Sequence, residues 1–252
     1  MTPAGAGIRR DLARGGARAD VSIEIPPVNV LDPAALGALA AAVGEVPPAR
    51  LLVLSGLPRA FSAGVEVAAH APDPDRIEGM LAAMRRVLRA LVETPAVTLA
   101  SVSGACLGGG AELVAACDLV LVAEDARIGF PEIRLACFPP GAAVLLPLRI
   151  GEARSAEWIL TGKTLSGRDA AAAGFAARAV SPERLAAETD RLAERVLAAS
   201  PKALSAALGP VRRARRDAIE QRLPEAEAAY RTLSGSEDLA RAVREFEASR
   251  RR

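Results

Sequence analysis

The chain has 252 residues, 51% of them hydrophobic but only 3% aromatic. That length allows one large domain, or a domain with an extension, with a core built from Ala, Leu and Val. A net charge of +2 gives no electrostatic case for nucleic acid or a membrane surface, and no uninterrupted apolar stretch approaches the length that spans a bilayer.

Thr2 to Gly16 mixes Gly, Ala and Arg without an apolar region and reads as a ragged start, not an export signal. Ala19 to Ile25 alternates apolar and polar residues and predicts a strand stopped by Pro26-Pro27. Asp32-Pro33 caps a helix through Val43. Leu51 to Leu54 is a buried strand, Gly56 to Gly64 a loop, and Asp75 to Glu93 a helix ended by Pro95. Ala96 to Val102 is a strand entering the Gly108–Gly110 turn, Glu112 to Cys117 is helical, and Leu119 to Ala123 is again a strand. Apolar strands alternating with helices predict parallel pairing with right-handed crossovers.

From about Pro139 the pattern turns helical. Ser166 to Asp169 resembles a capping box opening a helix that Gly174 stops, and Ala176 to Val180 reads as one late strand. Pro182 to Ala199, Pro201 to Leu223 and Glu237 to Ser249 read as amphipathic helices. The basic run Arg212, Arg213, Arg215 and Arg216 suits a solvated face or subunit contact better than an anion site. Cys106, Cys117 and Cys137 lack CxxC spacing and suit reduced, buried thiols of a cytoplasmic protein.

Two short contexts carry chemistry: Gly108-Gly109-Gly110-Ala111-Glu112 and Gly129-Phe130-Pro131-Glu132-Ile133. Glycines before a helix let a backbone approach a ligand closely, and the first helical N–H groups can bind an oxyanion. They serve equally as a tight packing turn. The spacing is neither GxGxxG nor a P-loop, which disfavours nucleotide phosphates. The loop Arg59 to Glu66 could add a second donor after Gly64, completing an oxyanion hole. Ser62 lies outside a Gly-x-Ser-x-Gly elbow. Glu112 and Glu132 could each be bland; together in apolar surroundings they suggest a proton-transfer pair with a raised pKa. His70 is the only histidine, which excludes a multi-histidine metal site; it suits a structural or surface role or a substrate contact. No metal cluster is expected.

With Phe61 to Glu66, Gly104 to Asp118, Phe130 to Ile133 and Leu160-Thr161-Gly162 in this order, the chain resembles the enoyl-CoA hydratase/isomerase (crotonase) superfamily from about Ala19 to Phe246. The resemblance implies an α/β fold, a spiral of ββα units over residues 1–195, with a C-terminal helical trimerisation region over 196–252. It implies a homotrimer or hexamer, and an acyl-CoA thioester as substrate with no separate cofactor. The N–H groups of Val65 and Gly109 look like its oxyanion hole, and Glu112 and Glu132 like the hydratase acid/base pair. Ala63, Gly64, Gly108, His70, Phe138, Pro139 and Phe246 complete the implied substrate-binding set. Both glutamates favour hydration; a Δ3–Δ2-enoyl-CoA isomerase or a silent acyl-CoA-binding protein are the alternatives. Cys137-Phe138-Pro139-Pro140, where many family hydratases carry a glycine-rich stretch, looks like the cyclohexa-1,5-diene-1-carbonyl-CoA hydratase branch, whose substrates are cyclic dienoyl thioesters from aromatic breakdown.

Overall fold

The structure, a computed structural model, describes residues 2–4, 6–46, 49–70 and 73–249, without the side chains of 2–4, 69 and 70. One unit recurs along the core: a strand in the main sheet, a short strand turned out of it, then a helix. Arg18–Ile23, Val30–Leu31 and helix Pro33–Gly44 form the first. Leu51–Ser55, Ala60–Ser62 and helix Pro74–Glu93 form the second. Val97–Val102, Ala105–Leu107 and helix Gly109–Ala116 follow, then Leu119–Ala123, Arg127–Gly129 and helix Pro140–Ile150. This is the expected spiral of ββα units.

The main sheet orders its strands Thr2–Ala4, Ile8–Ala13, Arg18–Ile23, Leu51–Ser55, Val97–Val102, Leu119–Ala123 and Arg178–Val180. The last five run parallel, as their apolar character predicts. The short strands assemble a second sheet in the order Thr164–Ser166, Arg127–Gly129, Ala105–Leu107, Ala60–Ser62. Val30–Leu31 pairs separately with Gly64–Val65. Caps fall where the sequence places them: Asp32 Oδ1 accepts from Ala35 N at 2.7 Å, and Ser166 Oγ from Asp169 N at 3.1 Å.

Three expectations are corrected. Gly56 to Gly64 is not all loop: Ala60–Ser62 is a strand and Gly64 begins another, both too short to show a period. The N-terminal segment is no ragged start: Ile8–Ala13 pairs antiparallel with Arg18–Ile23. Its pattern was unreadable because this strand, second in the sheet, is held by backbone hydrogen bonds, and among its residues only Ile8 is fully buried. The arginine run is not mainly a solvated face. Arg212 is 1% exposed, and Arg212 and Arg215, three apart on one helix face, both bind Asp118. Arg212 Nε donates to Asp118 Oδ1 at 2.9 Å, and its Nη2 to the Ala96 carbonyl at 2.7 Å. Burial pushes the Asp118 carboxyl up, but hydrogen bonding from Arg212 and the charges of both arginines outweigh it and hold it below the usual range. Arg213 alone of the four is exposed. This cluster pins helix Pro201–Asp217 to the start of strands Val97–Val102 and Leu119–Ala123.

The helices beyond residue 196 continue across Leu223–Arg231 to Glu237–Ser249. Tyr230, Leu239 and Val243 form a second small core with Ile77, Met80, Leu81 and Cys137. The C-terminal helices thereby close one wall of a cavity at the top of the spiral.

Candidate active site

That cavity has a volume of about 270 Å³. Its floor is made where the second and third units meet. Gly108 adopts φ +52°, a conformation few residues but glycine tolerate, and a Cβ there would lie 2.5 Å from Glu132 Oε1. Gly109 opens helix Gly109–Ala116, and a Cβ on it would meet Val65 Cγ2 at 2.7 Å and Val65 N at 3.5 Å. The two backbones thus approach at one point of the cavity, which both residues line.

The segment Ala60–Val65, two short strands, is held there by buried polar groups. Asn29 Nδ2 donates to the carbonyls of Ile23, Ala60 and Phe61 at 2.8, 3.0 and 3.0 Å. Ser62 Oγ donates to the Asn29 carbonyl at 2.7 Å and accepts from Gly64 N at 3.1 Å. The Ser62 hydroxyl is therefore a brace of the segment. The Ala63 N–H is taken by the Val28 carbonyl at 2.9 Å.

Both carboxylates line the cavity and are buried, Glu112 at 4% and Glu132 at 8% exposure. Glu112 reaches the N-terminus of helix Pro140–Ile150, where its Oε1 accepts from Ala142 N at 2.8 Å. Burial pushes its carboxyl up to about 7 against the downward pull of the Ala142 and Gly141 N–H groups. Glu132 sits in the 3-10 turn Pro131–Leu135, and its Oε2 is buried without a hydrogen-bond partner among the described residues. Burial, then the nearby Glu112 charge, pushes its carboxyl up to about 8. An apolar cavity thus holds two carboxyl groups that differ in their hydrogen-bond donors, a setting for moving protons near neutral pH.

A family model described as enoyl-CoA hydratase/isomerase matches residues 17–250. The chain belongs to that family. It is 33% identical to the cyclohexa-1,5-dienecarbonyl-CoA hydratase of Thauera aromatica, over 98% of this chain and 96% of that protein. Among solved structures it is similar to an enoyl-CoA hydratase from Mycobacterium avium subsp. paratuberculosis K-10, with a TM-score of 0.87, 22% identity, and coverage of 97% and 96% of the two chains. An enoyl-CoA hydratase from Bacillus halodurans superposes at a TM-score of 0.87 with 18% identity, covering 95% and 99%. At such identities these structures establish the crotonase fold.

Within this enoyl-CoA hydratase/isomerase family member, Ala63, Gly64, Val65, Gly108, Gly109, Glu112, Glu132, Phe138, Pro139 and Phe246 all line the one cavity. Phe246 arrives from the C-terminal helix of the same chain. His70 ends the 3-10 turn Val67–His70, and its side chain lies outside the described residues. Sequence reasoning missed Arg85, Glu227 and Tyr230, which line the wall opposite. Their signal was faint: Leu223, Glu227 and Tyr230 recur at helical spacing, but the charge at Glu227 breaks the apolar pattern. It also missed the packing behind Glu132. The Phe130 ring meets Trp158 edge-on at 5.6 Å and Phe175 at 6.5 Å, anchoring the turn that carries the carboxylate.

No group of three or more His, Cys, Asp or Glu able to hold a metal occurs among the described residues. Among them, no helix is long and apolar enough to cross a membrane.

Proposed function

We propose that this chain is an enoyl-CoA hydratase, a hydro-lyase that adds water across the double bond of an α,β-unsaturated acyl-CoA thioester. The supporting observation is the asymmetry of the two buried carboxyls beside the Val65–Gly109 approach. Glu112, held by backbone N–H groups that favour its anion, is the base: it takes one proton from water as the oxygen bonds to the β-carbon. The π electrons move toward the thioester, and the N–H groups of Val65 and Gly109 hold the negative charge on its oxygen. Glu132, kept protonated by burial and by the Glu112 charge, gives its proton to the α-carbon. The water has then been added whole, and one proton passed from Glu112 to Glu132 resets the pair. Coenzyme A enters as part of the substrate; the scheme uses no metal or separate cofactor.

The finer form of this proposal is a cyclic dienoyl acyl group. It is supported by the similarity over 98% of the chain to a cyclohexa-1,5-dienecarbonyl-CoA hydratase, and by Phe138 and Pro139 lining the cavity. A volume of about 270 Å³ suits a ring-sized acyl group, with the rest of coenzyme A outside it. Assembly as a homotrimer or hexamer is proposed as the family resemblance implies; sedimentation of the full chain counts the copies.

A panel of linear and cyclic unsaturated thioesters tests the activity, followed by absorbance loss and by solvent deuterium incorporation. Hydration is expected. Deuterium exchange without water addition overturns the proposal in favour of an isomerase, and binding with neither leaves a silent acyl-CoA-binding protein.

A further inference from the structure

Besides Glu112 and Glu132, the cavity wall carries two more charged residues among the described ones, Arg85 and Glu227. Each interrupts an apolar stripe. On helix Pro74–Glu93 the wall residues are Met80, Leu81, Met84, Arg85 and Leu88, and on helix Leu223–Arg231 they are Leu223, Glu227 and Tyr230. Arg85 Nη1 donates to Glu227 Oε2, and Arg231 lies 3.7 Å from the same oxygen. Glu227 is 1% exposed.

A clamp between the two helices does not account for this pair. Their outer rim is already tied by Arg231 Nε to Glu78 Oε2 at 2.7 Å, and their inner faces by apolar contacts. Glu227 is buried while the Arg85 side chain stays 29% exposed, and burying that carboxylate carries a desolvation cost that a fitted apolar residue avoids. Position adds a chemical reason. Arg85 lies between Met84, whose methyl would touch a Cβ on Gly109, and Leu88, which lies against Gly141 beside the Glu112 carboxylate. The pair therefore lines the same cavity as Gly109 and Glu112. A guanidinium offers five N–H donors in a fixed fork, and a carboxylate only acceptors. One group that satisfies both at a single atom is a hydroxyl, which accepts from Arg85 and donates to Glu227.

We propose that Arg85 and Glu227 form a specificity subsite for acyl thioesters bearing a hydroxyl group on a carbon outside the reacting double bond. This rests on the acyl-thioester reading of the cavity, so the test separates the two. Calorimetry measures binding of two saturated acyl-CoA thioesters of one carbon skeleton, with and without the hydroxyl, which no hydratase step can consume. Hydration of the matching unsaturated pair is followed in parallel. The wild-type protein is expected to bind the hydroxylated thioester about 10- to 100-fold more tightly, the worth of a hydrogen bond to a charged group. In the double variant Arg85→Met/Glu227→Leu, which keeps shape without charge, that ratio falls to about 1. Arg85→Met alone, with Glu227 still beside Arg231, lowers it in the same direction and serves if the double variant does not fold. A ratio near 1 in the wild-type protein, or a wild-type ratio kept in the variants, overturns the subsite. A preserved binding preference without hydration sinks the hydratase reading and leaves the subsite standing. Hydration with no preference does the reverse.

Discussion

Replacing Glu132 with Gln removes a titratable group from the cavity while keeping its shape, so the cost of burying that carboxyl becomes measurable. The carboxyl rises from 4.5 to about 8 on folding. At pH 6 the unfolded chain has ionised it and the folded chain has not, a penalty of roughly 2 kcal/mol at about 1.4 kcal/mol per pH unit. At pH 9 the folded carboxyl has also ionised and the full shift counts, roughly 4–5 kcal/mol. The sign follows: a carboxyl raised on folding contributes most at acid pH, and that contribution is lost as pH climbs through the folded value. Wild-type protein should therefore lose about 2–3 kcal/mol more than Glu132→Gln between pH 6 and pH 9. Urea unfolding of both proteins at the two pH values reads this directly. The same variant should lose at least about 100-fold in hydration rate if Glu132 donates the α-proton. Parallel pH–stability curves for the two proteins would refute the buried, raised carboxyl. An unchanged rate would remove its role as acid.

Glu112→Gln should also cut hydration by about 100- to 10,000-fold; because the amide oxygen can still accept from Ala142 N, thermal unfolding should place it close to wild type. With Glu112 raised to about 7 and Glu132 to about 8, hydration should be bell-shaped in pH. It should fall toward acid as the base is protonated and toward alkali as the acid ionises; a rate flat from pH 5 to 10 contradicts that assignment. Gly109→Val forces atoms against Val65 and Met84 and should lower kcat/KM by about 100-fold in steady-state assays with the fold retained by circular dichroism, whereas wild-type kinetics would remove the oxyanion role. Asp118→Asn leaves Arg212 and Arg215 buried without their counter-charge; calorimetry should find a loss of about 3–5 kcal/mol, near 10 °C in midpoint, and a shift within about 2 °C would show the cluster to be dispensable.

Much of this could be read from the chain alone where the signal was local. The apolar runs at Leu51 and Leu119 predicted parallel strands because residues buried on both faces have no polar alternation. Asp32 and Ser166 marked helix starts because a cap bonds an N–H three residues away. The short strands Ala105–Leu107 and Arg127–Gly129 were invisible: three residues show no period, and their pairing is made by distant backbone. The arginine run was misread for the same reason. Its partner, Asp118, lies 94 residues from Arg212 in the chain, and only folding removes the water that would otherwise solvate both.

The sequence by itself determined which groups are available: two glutamates, a glycine turn, a small-residue loop, and the helical spacing that sets the faces of the later helices. Tertiary structure decided what state those groups are in. Glu112 meets its donor 30 residues on, at the start of another helix, and Arg85 meets Glu227 across 142 residues. Spacing along a chain reports bonds made within a turn or a strand, which the backbone geometry enforces. Desolvation, and with it the raised carboxyls, depends on everything that surrounds a side chain from every direction. That enclosure exists only once the spiral and the C-terminal helices have closed over the cavity.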